Sequence, residues 1–312
     1  MIEFKNLTKR YGQVTALQDV SFTIENGTVL GLVGSNGAGK STTFSILSTL
    51  LAPTSGDATI NGISVVTNPE KARELIGYMP DFFGVYDQLK VDEYLDFYAS
   101  SYHISNEPKK QLIPELLALV NLLDKRYEYV DNLSRGMKQR LCLARTLIHS
   151  PQVLILDEPA SGLDPIARAE MRDIMKRLKA DGKTILISSH ILPELADMCD
   201  EIAVLDKGKL IAHGNVHAIQ AQLQGEKTLH ITVSSGAEAA LELLAINEFV
   251  KEPTIRQHTL SFTFRGNDLQ QTALLRSLLD ADVGVLTVQQ EVFDLEDIFL
   301  AITKGDALHE SQ

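Results

Sequence analysis

Eight residues in this 312-residue chain carry the clearest chemistry: Gly34-Ser35-Asn36-Gly37-Ala38-Gly39-Lys40-Ser41. They fit G-x-x-x-x-G-K-[ST], a pattern whose glycines let the backbone curl with its N–H groups turned inward around phosphate. Lys40 is placed to reach the β- and γ-phosphates of a nucleotide, and the Ser41 hydroxyl to ligate Mg²⁺. Thr42 continues the same turn. Such a loop needs a strand before it and a helix N-terminus after it, because the helix dipole completes the anion site. Val29 to Val33 is an apolar run with strand character. Ser41 to Leu51 follows with Phe44, Leu47 and Leu51 on one helical face.

A phosphate loop requires a carboxylate for the cation and a group to polarise attacking water. Val153 to Leu156 is an apolar strand that ends in Asp157-Glu158. Two adjacent carboxylates at a buried strand end are costly without a metal or another partner. Asp157 is therefore a candidate metal ligand and Glu158 a candidate general base. Leu133-Ser134-Arg135-Gly136-Met137 precedes a helix expected over 138–150, and its Ser and Gly could form a second anion site. Taken alone, Ser134 reads as an ordinary helix N-cap. His190, beside Ser188 and Ser189 at another strand end, reads alone as structural. Tyr11, among Lys9, Arg10 and Gly12, is an exposed aromatic that could stack on an adenine ring.

The elements around these residues alternate strand and helix. Strands are expected over 2–11 and 14–24, a turn over 54–57, a hairpin about Asn61-Gly62, and a short helix from Asn68-Pro69. Ile76 to Pro80 is a strand followed by a loop to Leu89, and 91–150 reads as helical throughout. Leu112, Leu116, Leu119 and Leu123 are expected to form the apolar stripe of that helical insert, bounded at about 88–150. A helix over 165–180, a strand over 184–188, a short helix over 192–199 and a hairpin over 201–214 follow. The composition turns polar around 221–227, which reads as a linker. Beyond it, 228–304 carries a small α/β pattern with a last helix near 295–302, and 305–312 is a tail.

The net charge is −12, and from Glu226 onward 14 acidic residues face 6 basic ones. An acidic chain without a basic stripe is a poor nucleic-acid binder. Cys142 and Cys199 lie in apolar helical patterns, which suits reduced, buried thiols in a reducing cytoplasm. Ile2 to Arg10 is too short and charged for a secretory signal, and no run of about 18 apolar residues crosses a bilayer.

In kind, order and spacing these motifs resemble the ATP-binding subunit of an ABC transporter, over residues 1 to about 220. The resemblance implies an α/β P-loop NTPase domain with a helical subdomain, followed by a small α/β domain of ferredoxin-like pattern. It implies that Tyr11 stacks adenine, Gly34 to Thr42 hold the phosphates of ATP, and Asp157 and Ser41 serve Mg²⁺. Glu158 becomes the catalytic carboxylate, Asp164 lies in the D-loop, and His190 contacts the γ-phosphate. Ser134 and Gly136 belong to the signature motif, which in this family binds ATP held by a second subunit. Two departures stand out: Arg135 and Met137 replace Gly and Gln of the usual L-S-G-G-Q, and Asp81 stands where the family has the Q-loop Gln, a carboxylate that can still reach Mg²⁺ or the attacking water and is a candidate metal residue. Leu295 to Leu300 is similar to a segment in the small C-terminal domain of some exporter subunits. The implied working unit is a pair of these subunits, most simply a homodimer, peripheral on the cytoplasmic face through a membrane permease, without nucleic acid. One rival is a soluble ABC-type ATPase regulating a non-transport assembly. The short interval between Lys40 and Leu133 leaves no room for the coiled coil of chromosome ATPases. A second rival is an ATP-binding switch with little turnover, against which the intact Glu158 argues.

Overall fold

The computed structural model describes residues 1–82, 84–189, 198–215 and 227–290. The chain divides into two units, Met1–Val216 and His217–Gln312. In the first, β1 (Ile2–Tyr11) and β2 (Val14–Ile24) pair antiparallel, and β1 also pairs with β4 (Ser55–Ile60), which turns into β5 (Ile63–Ser64). Asn61 and Gly62 both have positive φ, as a two-residue hairpin requires. The expected turn over 54–57 is instead the start of β4. Gly56 sits in it with φ +80, where the pairing with β1 shifts register, so a bulge had the composition of a turn.

A second sheet, in the order β10-β9-β3-β8-β7-β6, carries the chemistry. Its strands are β3 (Val29–Val33), β6 (Ile76–Met79), β7 (Val153–Asp157), β8 (Thr184–Ser189), β9 (Glu201–Asp206) and β10 (Lys209–Asn215). All but β10 run parallel. Every residue of β3, β7 and β8 is buried, the pattern of strands covered on both faces. One core joins both sheets: Phe4, Leu7, Val20 and Ile60 from the first pack with Leu30, Ile155 and Leu205 from the second, and with Phe44 and Leu47 of α1 (Lys40–Leu47).

Helix α1 stops at Leu47 rather than Leu51. Ser48 turns its hydroxyl back to the Phe44 carbonyl at 2.7 Å, and Thr49 adopts φ +63, which ends the helix. Leu51 still packs on the core from outside the helix. Helix α2 (Pro69–Leu75) begins at Pro69 with Asn68 at the N-cap position, although the Asn68 side chain donates to Thr67 Oγ1. The stretch 91–150 is not continuous helix. It comprises α3 (Val91–Ser101), α4 (Asn106–Leu119) and α5 (Arg135–Thr146), with 3₁₀ turns at Leu123–Lys125 and Val130–Asn132. The buried stripe of α4 is Ile113, Leu116 and Leu117, continued by Val120. Leu112 and Leu119 are half-buried, and Leu123 is exposed beyond the helix end. The residues that face the core are spaced i, i+3, i+4, i+7, and of the four leucines at heptad-like spacing only Leu116 belongs to that set. Helix α5 begins at Arg135, not Lys138, because Ser134 caps it by accepting from the Met137 N–H at 3.3 Å. Helix α6 (Pro165–Ala180) begins where Asp164 accepts from the N–H groups of Ile166 and Ala167 at 3.0 and 2.9 Å.

Cys142 is buried on α5, and burial raises its thiol pKa to about 12. Cys199 is only half-buried and stands between the described residues of a turn and a bend, not in a helix. Among the described residues no helix is long and apolar enough to cross a membrane.

In the second unit, β11 (Lys227–Val233), α7 (Ala237–Ala245), β12 (Val250–Arg256), β13 (Thr259–Phe264), α8 (Asp268–Asp280) and β14 (Val285–Gln290) follow one another. The sheet order is β12-β13-β11-β14 with all pairs antiparallel. This βαββαβ order is the ferredoxin-like arrangement. Leu229, Ile231, Leu260, Phe262 and Phe264 of the sheet pack with Leu244, Leu274 and Leu278 of the two helices. The helix expected over 192–199 falls mostly, and the one over 295–302 wholly, outside the described residues.

Candidate functional site

The site forms at the carboxyl ends of the parallel strands, where open α/β sheets place their ligand crevices. Asp157, the last residue of β7, pairs with Ser188 of β8, and Val33, the last of β3, pairs with Ser189. The loop after β3 and the carboxylates after β7 therefore flank one strand end. Gly34 to Thr42 run from that strand into α1. Ser35, Asn36, Gly37 and Ser41 are exposed, Thr42 is half-buried, and Gly34, Ala38, Gly39 and Lys40 are buried. Gly39 is irreplaceable on two grounds. Its φ is +110, and a Cβ there would stand 2.6 Å from Leu17 Cδ2 and 2.8 Å from the Ala16 carbonyl oxygen.

The Lys40 ammonium turns into the loop and donates to the Gly34 carbonyl at 2.6 Å and the Ser35 carbonyl at 3.3 Å. Burial lowers its pKa, and the Glu158 and then the Asp157 carboxylates oppose that shift. The loop lysine thus lies within electrostatic reach of both carboxylates. Asp157 is buried and accepts a 2.5 Å hydrogen bond from the Ser188 hydroxyl, which itself accepts from the Glu158 N–H at 2.9 Å. Glu158 has φ +52, a strained conformation for a residue with a side chain. Its carbonyl accepts from the Ser161 N–H at 3.1 Å and from Gln139 Nε2 at 3.4 Å.

Asp81 is exposed in the bend after β6. It lies near enough to Tyr78 that burial first, then the Asp157 and Asp81 carboxylates, push the Tyr78 hydroxyl up to about 12. Tyr11 closes β1 opposite Val14 and is 49% exposed, with Lys9 Nζ 5.2 Å from its ring centroid. Ser134 and Arg135 are exposed and Gly136 is buried, at the start of α5. Gly136 packs where the β7–α6 loop enters α6: a Cβ on it would fall 2.9 Å from Ala167 Cβ in the first turn of α6 and 3.6 Å from Leu163 Cδ2 in the loop before it. His190 lies outside the described residues.

The donors present fit a polyphosphate and a hard divalent cation. The first N–H groups of α1 have no partners within the helix, a buried ammonium lies beside them, and a hydroxyl and a carboxylate are available as oxygen ligands. A Mg²⁺ held partly by phosphate and water needs no protein cage, and no cluster of three or more metal-ligating side chains occurs among the described residues.

A sequence profile described as ABC transporter matches residues 17–161. The linearmycin resistance ATP-binding protein LnrL of Bacillus subtilis is 32% identical over 305 residues, covering 97% of this chain and 98% of that protein. The chain belongs to the ABC transporter family. The Nod factor export ATP-binding protein I of Burkholderia lata is 34% identical over 302 residues, covering 97% of this chain and 96% of its own length. Among solved structures, an ATP-binding subunit of an ABC transporter superposes with a TM-score of 0.65 at 33% identity, over 72% of this chain and 93% of that one. A dimeric ATP-binding cassette in a post-hydrolysis state, bound to ADP and phosphate, superposes with a TM-score of 0.62 at 26% identity, over 69% of this chain and 99% of that one. The protein is an ABC-type ATPase subunit.

Two parts of this ABC site went unread in the sequence. Ser188 joins both carboxylate residues, and its signal in the sequence is the Ser188-Ser189 pair that ends a strand with an apolar centre. Gln139 reaches the Glu158 carbonyl from α5, and in the sequence nothing separates it from its polar neighbours Lys138 and Arg140.

Proposed function

We propose that two copies of this chain close around two ATP molecules and drive a separate membrane permease, in the direction of export. The observation that carries this reading is the convergence of the loop that holds Lys40 with Asp157 and Glu158 at the carboxyl ends of β3 and β7, on either side of the Ser188-Ser189 end of β8. Export rests on relatives named for resistance and for export that align along almost the whole chain.

In this reading Tyr11 stacks on adenine, and Gly34 to Thr42 bind the phosphates with their backbone N–H groups. Ser41 and Asp157 would hold Mg²⁺, which would neutralise phosphate charge, and the exposed Asp81 would be a further carboxylate available to that cation or to the attacking water. Glu158 orients the attacking water and takes its proton, with the Ser188 hydroxyl holding its backbone. Positioning and electrostatics carry most of the rate in such transfers. Ser134 and Gly136 would present the α5 N-terminus to the partner copy's ATP, and Asp164 and His190 would complete the closed state. ATP then acts as glue, because a ligand that binds only the closed pair stabilises it by mass action. Residues 1–220 would form the ATP-binding domain, 228–304 the small domain and 305–312 the tail; the linker expected over 221–227 overlaps the small domain's first strand at Lys227. The permease would dock where Phe82 is 90% exposed and where the Tyr86 and Phe97 rings meet edge-on 5.3 Å apart at the surface. That contact would hold the chain at the cytoplasmic face, and nucleic acid is not its partner.

The test is Glu158→Gln. Its turnover is expected to fall by about 10²- to 10⁴-fold, the span of general-base catalysis, while ATP binding persists and an ATP-dependent dimer accumulates. Tagged Glu158→Gln chain, recovered from detergent-solubilised membranes with ATP, is expected to bring a polytopic membrane protein in stoichiometric amount. Ordinary turnover would refute the base assignment, and exclusively soluble partners would refute the permease.

A further inference from the structure

Arg135 occupies a signature position that carries glycine in L-S-G-G-Q, and its side chain has a defined place. Its Nη2 donates to the Ser161 carbonyl at 3.1 Å. Its guanidinium lies flat on Gly162: a Cβ built there would fall 2.6 Å from both Cζ and Nη1 of Arg135 and 2.7 Å from Nη2. Gly162 has φ +67, so the backbone there is shaped to leave that room. Beside it, Gly136 packs on Leu163 and Ala167. The same short segment returns to Glu158 through the Ser161 N–H, and Gln139 of α5 reaches the same Glu158 carbonyl.

We propose that Arg135 is a positioning residue, a latch that binds the signature turn to the Ser161-Gly162 segment of its own chain. The inference rests on the two-copy reading above. The signature turn would sense the partner's ATP, while Ser161 hangs from the Glu158 that serves the chain's own ATP. The latch makes the two move as one body, so that filling one site aligns the base of the other. A guanidinium suits this task because it combines a planar stacking face with a fixed donor fork, which an ammonium lacks.

The experiment measures steady-state hydrolysis by the full chain, as kcat, KM and Hill coefficient, with equilibrium ATP binding alongside. Arg135→Ala is expected to lower kcat about tenfold, the scale of one lost charge-assisted hydrogen bond, and to bring the Hill coefficient toward unity with ATP binding unchanged. Arg135→Lys is expected to recover part of both. Gly162→Asn tolerates the left-handed backbone but displaces the guanidinium, so it is expected to match Arg135→Ala and to add little on top of it. Amides 161–164 are expected to exchange faster in Arg135→Ala than in the parent. Parental kcat and Hill coefficient, additive effects in the double variant, or unaltered exchange would each overturn the latch. So would a raised KM with kcat kept, which would put the guanidinium on the partner's nucleotide. If Glu158→Gln forms no ATP-dependent dimer, the two-copy reading fails and takes the latch with it; if that dimer forms and Arg135→Ala is silent, the latch alone fails.

Discussion

The strands of the two units bury themselves in opposite ways. In the first, β3, β7 and β8 are buried at every residue and end abruptly in chemistry: Gly34, Asp157-Glu158 and Ser188-Ser189. In the second, β13 alternates half-buried and buried from Thr259 to Phe264, so one face is core and the other is a polar surface of Thr232, Thr259, Ser261 and Thr263. His230 joins that face, 2.8 Å from Ser261. Parallel strands covered on both sides leave only their ends to meet solvent, and reactive groups gather there. An antiparallel sheet with one open face spreads its polar groups evenly and concentrates none. The contrast assigns catalysis to one unit and gives the other its own core, built from residues that the first core does not share.

Separate cores predict separable damage. Phe44 in the first unit and Phe264 in the second are both essentially inaccessible to solvent. Truncating either to Ala is expected to cost about 3–5 kcal/mol. Denaturant unfolding followed by hydrogen exchange should show Phe264→Ala weakening only 227–290, with ATP binding per folded molecule unchanged. Phe44→Ala should weaken α1 and the phosphate loop together. A single transition lowered equally by both would break the comparison.

Next in size is Lys40→Ala. Removing a charge-assisted donor from a phosphate site is expected to weaken ATP binding about 10- to 100-fold, measured by calorimetry. The melting of the second unit should stay where it is. Unchanged affinity would remove Lys40 from the phosphate site.

The regular elements were legible because their burial left periodic traces. The apolar runs of β3 and β7, the alternation of β13 and the Asn61-Gly62 turn all appear in the residues themselves. What was not legible depended on partners distant in sequence. Gly56 looked like a turn because its bulge exists only against Asn6 and Lys5 of β1. The residue pattern starts α5 three residues late, because the cap depends on where the Ser134 hydroxyl points. Glu158 stands out in the sequence through its neighbour Asp157, but nothing local announces φ +52 or the Ser188 hydroxyl that supports it. In the sequence Arg135 is a departure from a motif, and only the fold shows Gly162 beneath its guanidinium.

Ser188→Ala sharpens the comparison at the strand end. The change takes one buried partner each from the Asp157 carboxylate and the Glu158 N–H, which costs about 1–3 kcal/mol. Turnover is expected to fall by about tenfold or more as Glu158 loses its orientation, with a smaller change in KM. Ser261→Ala, on the open face of the second unit, removes a hydroxyl that also touches a histidine, yet should leave turnover alone. Equal effects of the two substitutions would mean that polar groups at strand ends and on open faces are not functionally distinct here.

The smallest effect concerns pH and belongs to the first unit. His149 follows α5, stacks on Tyr102 at 4.3 Å, and its Nε2 lies 2.8 Å from the Ile76 carbonyl at the start of β6. It pins the helical segment to the edge of the parallel sheet. Burial lowers its pKa below the ordinary 6.5; the Ile76 carbonyl opposes that shift and Lys183 adds to it. Below that value the unfolded chain takes up a proton that the folded chain refuses, so stability is full above pH 6.5 and declines as pH falls toward the lowered folded-state pKa. His149→Gln can still donate to Ile76 but does not titrate. Thermal melts of parent and variant across this window should therefore converge at acid pH, with the parent losing more stability on the way down. Melting curves that stay parallel would show that His149 is protonated alike in both states, and that the seam between α5 and β6 carries no pH dependence of its own.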